Sequence, residues 1–240
     1  MLLDVNSGEQ LADLFGNLFE IRTADTSELL DAVWALRYQV YCVEHQFLPA
    51  SAYPDKREQD EFDEHSLHAV LIYRPTGEIV GCVRLVLSHE GDQVRPIPLH
   101  GLIGEEVRKR LDRADPLRLA EISRYAVSKR FRRRAGESLY PDTGAHDIAG
   151  PDPRRLLPHI SLGLFRAIGR LALDNNVSTL CAAMSPSLLR LLERFNISFE
   201  SLGPPIEYHG VRQPCVAETL ALLTEIEREH AALAQFIRRE

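Results

Sequence analysis

The sequence is poor in the features that mark a metal protein, a membrane protein or a disulfide-stapled secreted fold. Its four cysteines, Cys42, Cys82, Cys181 and Cys215, stand far apart in or beside apolar runs, and no Cys-x-x-Cys pair occurs. That spacing reads as buried, reduced side chains of a cytoplasmic protein, not as a disulfide framework. His68, His100, His159 and His209 share no metal-ligand spacing, so no metal is expected. No run approaches the roughly 18 apolar residues of a membrane span, so no integral membrane segment is expected. The opening MLLDVNSGEQ has no basic stretch followed by an apolar one, so no signal peptide is expected. Internal repeats, low-complexity segments, a G-x-S-x-G elbow and a Walker loop are all missing. A formal net charge of −7 argues against a general nucleic-acid binder.

What is present fits one globular domain spanning residues 1–240. Hydrophobic residues make up 45% and charged residues 26%, enough apolar surface for a sizeable core. Periodicity predicts a helix from Ser7 to Phe19, a strand in FEIRTA and a helix from Thr26 to Glu44. A stretch without period follows, to His65. LHAVLIYR and EIVGCVRLVLS read as a hairpin about Pro75-Thr76-Gly77, with Gly81 marking a bulge or a close approach. Residues 89–115 read as loop plus a short helix from Glu105 to Arg113. LRLAEISRYAVS is the next strand, and residues 139–158 read as a flexible insertion. A helix from Ile160 to Asp174, a strand STLCAAM and a helix from Pro186 to Phe195 come next. ISFESLG and HGVRQPCVAETL supply the last strands, and a charged C-terminal helix lies within 220–240. This order implies a mixed α/β (α+β) fold, a central mixed β-sheet with helices on both faces.

Polar residues stand where a core should be apolar. Glu121-Ile122-Ser123-Arg124 begins a strand that then turns apolar, and alternation puts Glu121 and Ser123 on one face, Ile122 and Arg124 on the other. Arg37 interrupts the apolar face of the Thr26–Glu44 helix and needs a partner, because an unpaired buried charge costs several kcal/mol. Asp60 and Asp63 bracket Phe62 at the end of an acid-rich run and are placed to close on Arg37 or Arg84. Arg84 reads either as an edge arginine that snorkels to water or, preferably, as a sheet-centre charge paired with Glu121. Glu121 is the candidate general base, with a structural ion pair as the alternative. The run Lys129-Arg130-Phe131-Arg132-Arg133-Arg134, followed by Gly136 and Ser138, is either a solvated basic patch or a loop that offers N–H groups to a phosphate.

The ordered set Arg37-x-x-x-Tyr41, Phe47, Asp60-x-x-Asp63, Arg84 in GCVRL, and Glu121-x-Ser123-Arg124 resembles the autoinducer synthases. These are acyl-homoserine-lactone synthases of the Gcn5-related N-acyltransferase superfamily. The resemblance runs from about residue 30 to 130, with a looser match to about 215. Two departures stand out: that family usually has Phe where Tyr41 stands and Trp where Phe47 stands. The phrases EISRYAVSKRFRRRAGE and YHGVRQP look more like a sister group, the acyltransferases associated with the PEP-CTERM/exosortase protein-sorting system, which are similar to N-acyl amino acid synthases.

The resemblance implies a Gcn5-related N-acyltransferase-like fold and a fatty acyl group carried as a phosphopantetheine thioester on acyl carrier protein. That group passes to the amine of an amino acid, with no tightly bound cofactor. Glu121, Ser123 and Arg84 would be catalytic. Tyr41 and Phe47 would line the acceptor site, and Arg37, Asp60, Asp63 and Arg124 would build its charged wall. Lys129, Arg130, Arg132, Arg133 and Arg134 would meet the phosphopantetheine phosphate and the acidic carrier protein. Peripheral membrane contact would come only through the acyl product. Two alternatives stand beside this: a homoserine-lactone synthase using S-adenosylmethionine, and a catalytically silent acyl- or partner-binding domain of the sorting system.

Overall fold

The computed structural model describes residues 15–131 and 156–229. Among the described residues ten strands and five α-helices of defined bounds follow in chain order, after a helical segment at 15–18. They are β1 (Phe19–Thr23), α1 (Ser27–Tyr38), β2 (Ser66–Tyr73), β3 (Glu78–Leu87), β4 (His89–Glu90), β5 (Gln93–Val94), α2 (Glu105–Leu111) and β6 (Leu119–Val127). Then come α3 (Leu156–Asp174), β7 (Thr179–Met184), α4 (Pro186–Glu193), β8 (Glu200–Ser201), β9 (Ile206–Glu207), β10 (Val211–Glu218) and α5 (Thr219–Glu229). The main sheet runs β1-β2-β3-β6-β7-β10-β8, with β9 paired to β10. All its pairings are antiparallel except β6 with β7.

Helices cover both faces, as the element order implies. Alternation along β2 sends Ala69 and Leu71 into the large core with Leu164 and Ile168 of α3, and Val70 into a second core with Val33 of α1. Arg84 lies on the α1 face of β3 with Cys82, while Val83 and Leu85 face α3. Gly81 carries both features its position announces. Val80 is an extra residue opposite the Leu71–Ile72 step, and a Cβ on Gly81 would sit 3.1 Å from a Leu164 methyl and 3.2 Å from the Ala126 carbonyl.

Several boundaries differ from the periodic reading. The Thr26–Glu44 helix is two elements: α1, whose Thr26 cap accepts from Leu29 N–H, and a π-helical turn over Gln39–Glu44. That wider turn puts the Tyr41 hydroxyl 3.2 Å from the Tyr125 carbonyl and the Glu44 carboxylate 2.8 Å from the Lys129 N–H. The loop after β3 holds the small β4–β5 hairpin, too short to show a period. ISFESLG contributes only two strand residues, and β9 was not expected. Leu156–Pro158 belong to α3, so the 139–158 segment overlaps a helix, and residues 139–155 lie outside the described residues. The C-terminal helix begins at Thr219 and is described to Glu229. Of the Ser7–Phe19 helix only 15–18 is described, and it is helical.

Candidate active site

The site is built on a β-bulge. Cys82 pairs with Ala126 and Arg84 with Ser123, so the single residue Val83 faces both Arg124 and Tyr125. Arg124 takes a φ of +48°, in the left-handed region that a non-glycine residue adopts at a cost of about 1–3 kcal/mol. The bulge reverses the alternation. Arg124 turns onto the α1 face beside Ser123, not onto the opposite face with Ile122 as a regular strand would place it.

On that face the charges close into a ring. Arg37 Nε lies 2.5 Å from Glu58 Oε2, and Glu58 Oε1 lies 2.9 Å from Arg124 Nη2. Arg124 Nη2 lies 2.7 Å from Asp60, Asp60 2.5 Å from Arg84, Arg84 2.9 Å from Asp63, and Asp63 2.6 Å from Arg37. Three arginines and three carboxylates alternate around it, with no net charge. The backbone contributes too. Asp60 caps the 3-10 turn Glu61–His65 by accepting from Phe62 N–H, while Asp63 accepts from the Asp60 N–H. This reciprocal cap is why the two aspartates flank Phe62.

Burial alone would raise the three carboxyls, but the guanidiniums outweigh it and hold Glu58, Asp60 and Asp63 below the ordinary carboxylate range. The same carboxylates hold Arg37 and Arg124 above their ordinary value against burial. His68 Nε2 sits 3.4 Å from Asp63, and burial pulls His68 down to about 4.

Glu121 is not the partner of Arg84. Arg84 bonds Asp60, Asp63 and, through Nε at 2.9 Å, the Ser123 hydroxyl. The preferred pairing fails because the acid run folds over the same face, and Asp60 and Asp63 close on the guanidinium as their placement beside Phe62 suggested. Glu121 stands on β6 opposite Val86 and Cys181 and accepts one bond, from Leu99 N–H at 2.6 Å. Desolvation is the largest influence on it, only partly offset by that N–H and by the Arg84 and Arg124 charges, and its pKa is pushed up to about 8.

Beyond Ile122/Ala182 the β6–β7 ladder stops, and the strands part. A cleft of about 630 Å³ opens there. Glu121, Ser123, Arg124, Tyr41 and Phe47 line it, while Arg37, Arg84, Asp60 and Asp63 do not. Those four lie behind its wall, Arg37 and Arg84 with no exposed side-chain surface. Val127, Phe165, Met184, Leu188 and Leu191 give the cleft an apolar stretch. Elsewhere on it His45, Phe47 and His209 stack, with centroids 4.7 and 5.6 Å apart, and Arg212 lies 5.8 Å over the Phe47 ring.

Lys129 and Arg130 form an exposed 3-10 turn at the end of β6, with Arg130 paired to Glu78. Arg132, Arg133 and Arg134 lie outside the described residues. Among the described residues no His, Cys, Asp or Glu cluster could hold a metal, and no helix is long and apolar enough to cross a membrane.

Sequence reasoning missed Glu58, His209 and Arg212. Glu58 was hidden in an acid run that reads as solvated, although its spacing to Asp60 and Asp63 was visible. The other two lie far along the chain, inside the phrase YHGVRQP, whose resemblance gives neither residue a role.

A mixed sheet that parts between β6 and β7, with helices on both faces, is the GNAT-like fold, and residues 36–141 match the acetyltransferase (GNAT) domain family. Among solved structures the chain is similar to the AHL synthase LasI, at 15% identity and a TM-score of 0.52 over 85% of this chain and 93% of that one. It is also similar to FeeM, an N-acyl amino acid synthase from uncultured soil microbes, at 14% identity and a TM-score of 0.57 over 86% and 93%. A third likeness is to BjaI, a CoA-dependent acyl-homoserine lactone synthase solved with SAM and isopentyl-CoA. It stands at 16% identity and a TM-score of 0.56 over 91% and 98%. At these identities the likeness is one of fold. No curated protein matches the sequence.

Proposed function

We propose that this protein is an N-acyltransferase that moves a long-chain fatty acyl group from a thioester to the amine of an amino acid, giving an N-acyl amino acid. The donor is acyl carrier protein, with acyl-CoA as the same chemistry on a smaller carrier. The observation that carries this reading is the placement of Glu121. It is a buried carboxyl with a pKa of about 8, on the wall of a cleft where two parallel strands part. A base of that strength is matched to taking a proton from an ammonium or amine near neutral pH.

The amine nitrogen attacks the thioester carbonyl carbon, and its proton passes to Glu121 directly or through a water. The C–N bond forms, the tetrahedral intermediate collapses, and the C–S bond breaks. Ser123 accepts from Arg84, which can only donate, so the serine's own O–H is left to protonate the departing thiolate, and the proton that Glu121 took from the amine returns through water to the serine oxygen, which restores both groups. N–H groups of β6 beyond Ile122, past the end of its ladder to β7, supply donors for the developing oxyanion. The apolar stretch of the cleft takes the acyl chain.

The carrier protein is supported by the exposed basic turn at Lys129 and Arg130 and by the arginines that follow in sequence. Association with a PEP-CTERM/exosortase system rests on sequence phrases alone.

Mass spectrometry of lipid extracts tests the reading, with cells expressing the chain compared with cells expressing Glu121→Gln. An N-acyl amino acid found only with the unaltered chain supports it. An acyl lactone would move the activity to homoserine-lactone synthesis, and the absence of any new lipid when acyl-carrier protein and amino acids are supplied in vitro would favour a silent binding domain.

A further inference from the structure

We infer that Arg212 is the anchor for the acceptor's carboxylate, and so the residue that selects amino acids over simple amines. This rests on the N-acyltransferase reading and adds to it the determinant of acceptor class. The argument begins with the charge ring. Arg37 and Arg84 are enclosed, and Arg124 commits Nε and Nη2 to Glu58 and Asp60. An acceptor carboxylate bound to these groups would compete with carboxylates already in place.

Arg212 differs. It lines the cleft, is half-buried, and among the described residues no carboxylate lies within ion-pair distance of it. Among the described residues its guanidinium makes one hydrogen bond, from Nη1 to the adjacent Val211 carbonyl at 3.1 Å. Burial together with the Arg124 and Arg212 charges pulls His209 below its ordinary value. Among the described residues that line the cleft, Arg124 is paired with carboxylates and Arg212 is a positive charge without a carboxylate partner.

That charge is held in place. The guanidinium packs over Phe47, which itself stacks with the His45 and His209 rings. Gln46 at φ +55° and His209 at φ +51° both adopt left-handed backbone, which fixes the loops that carry the stack. A planar guanidinium of fixed orientation binds a carboxylate through two parallel bonds.

The test compares Arg212→Ala and Arg212→Lys with the unaltered enzyme, using an amino acid and the same amino acid with its carboxyl masked as the amide. The unaltered enzyme should prefer the free acid. Arg212→Ala should lower acceptor kcat/KM for the free acid by about 10- to 100-fold, the usual worth of a charge-assisted pair, and abolish the preference over the amide. Donor KM should hold, and Arg212→Lys should recover part of the loss. If Arg212→Ala instead raises donor KM, or keeps the preference for the free acid, Arg212 is not the anchor although acyl transfer stands. If the unaltered enzyme acylates neither compound, the N-acyltransferase reading itself fails and this assignment falls with it.

Discussion

Arg124 reaches Glu58 across 66 residues of sequence, and it does so only because its backbone is turned to a φ of +48°. The strain of that turn and the pairing it permits depend on each other. Without the bulge, Arg124 would point toward the α3 face, and Glu58, with no exposed side-chain surface, would keep only Arg37. Without Glu58, nothing would offset two converging guanidiniums at that point of the ring. The ring thus fixes the bulge that shapes the cleft wall, a structural task performed by residues whose sequence pattern resembles a binding site.

Glu58→Gln is therefore expected to destabilise the fold by about 3–5 kcal/mol, since it leaves a net positive charge buried among Arg37 and Arg124. A surface control such as Glu106→Gln should change stability by less than about 0.5 kcal/mol. Urea unfolding measures both, and a loss below about 1 kcal/mol for Glu58→Gln would show that the ring is not what holds the bulge.

Acidification should change stability with opposed signs, since Glu121, raised from 4.5 to about 8, contributes stability that grows as pH falls from 8 toward 4.5, while the depressed groups lose theirs. His68 is lowered from 6.5 to about 4, so the unfolded chain binds its proton first, and the stability it contributes declines as pH falls from 6.5 toward 4. Glu58, Asp60 and Asp63 are depressed below 4.5, 3.8 and 3.8, so the stability they contribute is present above those values and is lost as pH falls further. His68→Gln should remove its own share of the change between pH 6.5 and 4, at most about 1.4 kcal/mol per pH unit, and leave the shares of His100, His209 and Glu121 and the carboxylate loss below 4.5. Unfolding midpoints across pH 3–8 measure that share, and an unchanged slope between pH 6.5 and 4 in His68→Gln would remove His68 from the account.

The sheet and its helices were legible because β2, β3 and β6 carry strong strand signals and α1 and α3 carry helical apolar faces. The polar members of the site were legible for a simpler reason: Arg37, Arg84 and Glu121 are charges where the pattern demands apolar residues. Their partners were legible in part, since Asp60 and Asp63 were expected to close on Arg37 or Arg84 and do. The preferred pairing of Arg84 with Glu121 failed, because the loop of these aspartates folds back over Arg84 with its own acids. Alternation put Arg124 on the wrong face because a bulge leaves no mark on residue type when the left-handed position is not glycine. Phe47 was found through resemblance, while His209 and Arg212 meet it only in three dimensions.

If Glu121 is the base, kcat/KM for the acceptor should climb with pH through about 8 and level off above it, since the carboxyl must be ionised to take a proton. Burial is the main cause of the raised value, so a change that wets the site should shift the limb downward. Leu99→Gly, which opens the apolar surroundings while keeping the N–H that Glu121 accepts, is expected to move it toward 6 or lower, on the order of two units. Initial rates from pH 6 to 10, with the acceptor amine's own titration subtracted, measure the limb. A profile in Leu99→Gly identical to that of the unaltered enzyme would mean that the limb belongs to the amine and not to Glu121.

Ser123 distinguishes a lock from an acid. As a lock, its hydroxyl only satisfies Arg84 Nε, and Ser123→Ala would cost about 1–3 kcal/mol of stability through one unsatisfied buried donor. As an acid to the leaving thiolate it would also lower kcat, by about 100-fold or more. Both effects are expected, because the bond it accepts and the proton it donates use different parts of the same hydroxyl. Donors with leaving thiols of lower pKa separate them. A better leaving group needs no proton, so the Ser123→Ala defect should shrink with an acylated aromatic thiol while the stability loss stays. A kcat defect equal for both donors would leave Ser123 as a positioning residue for Arg84 and the ring behind it.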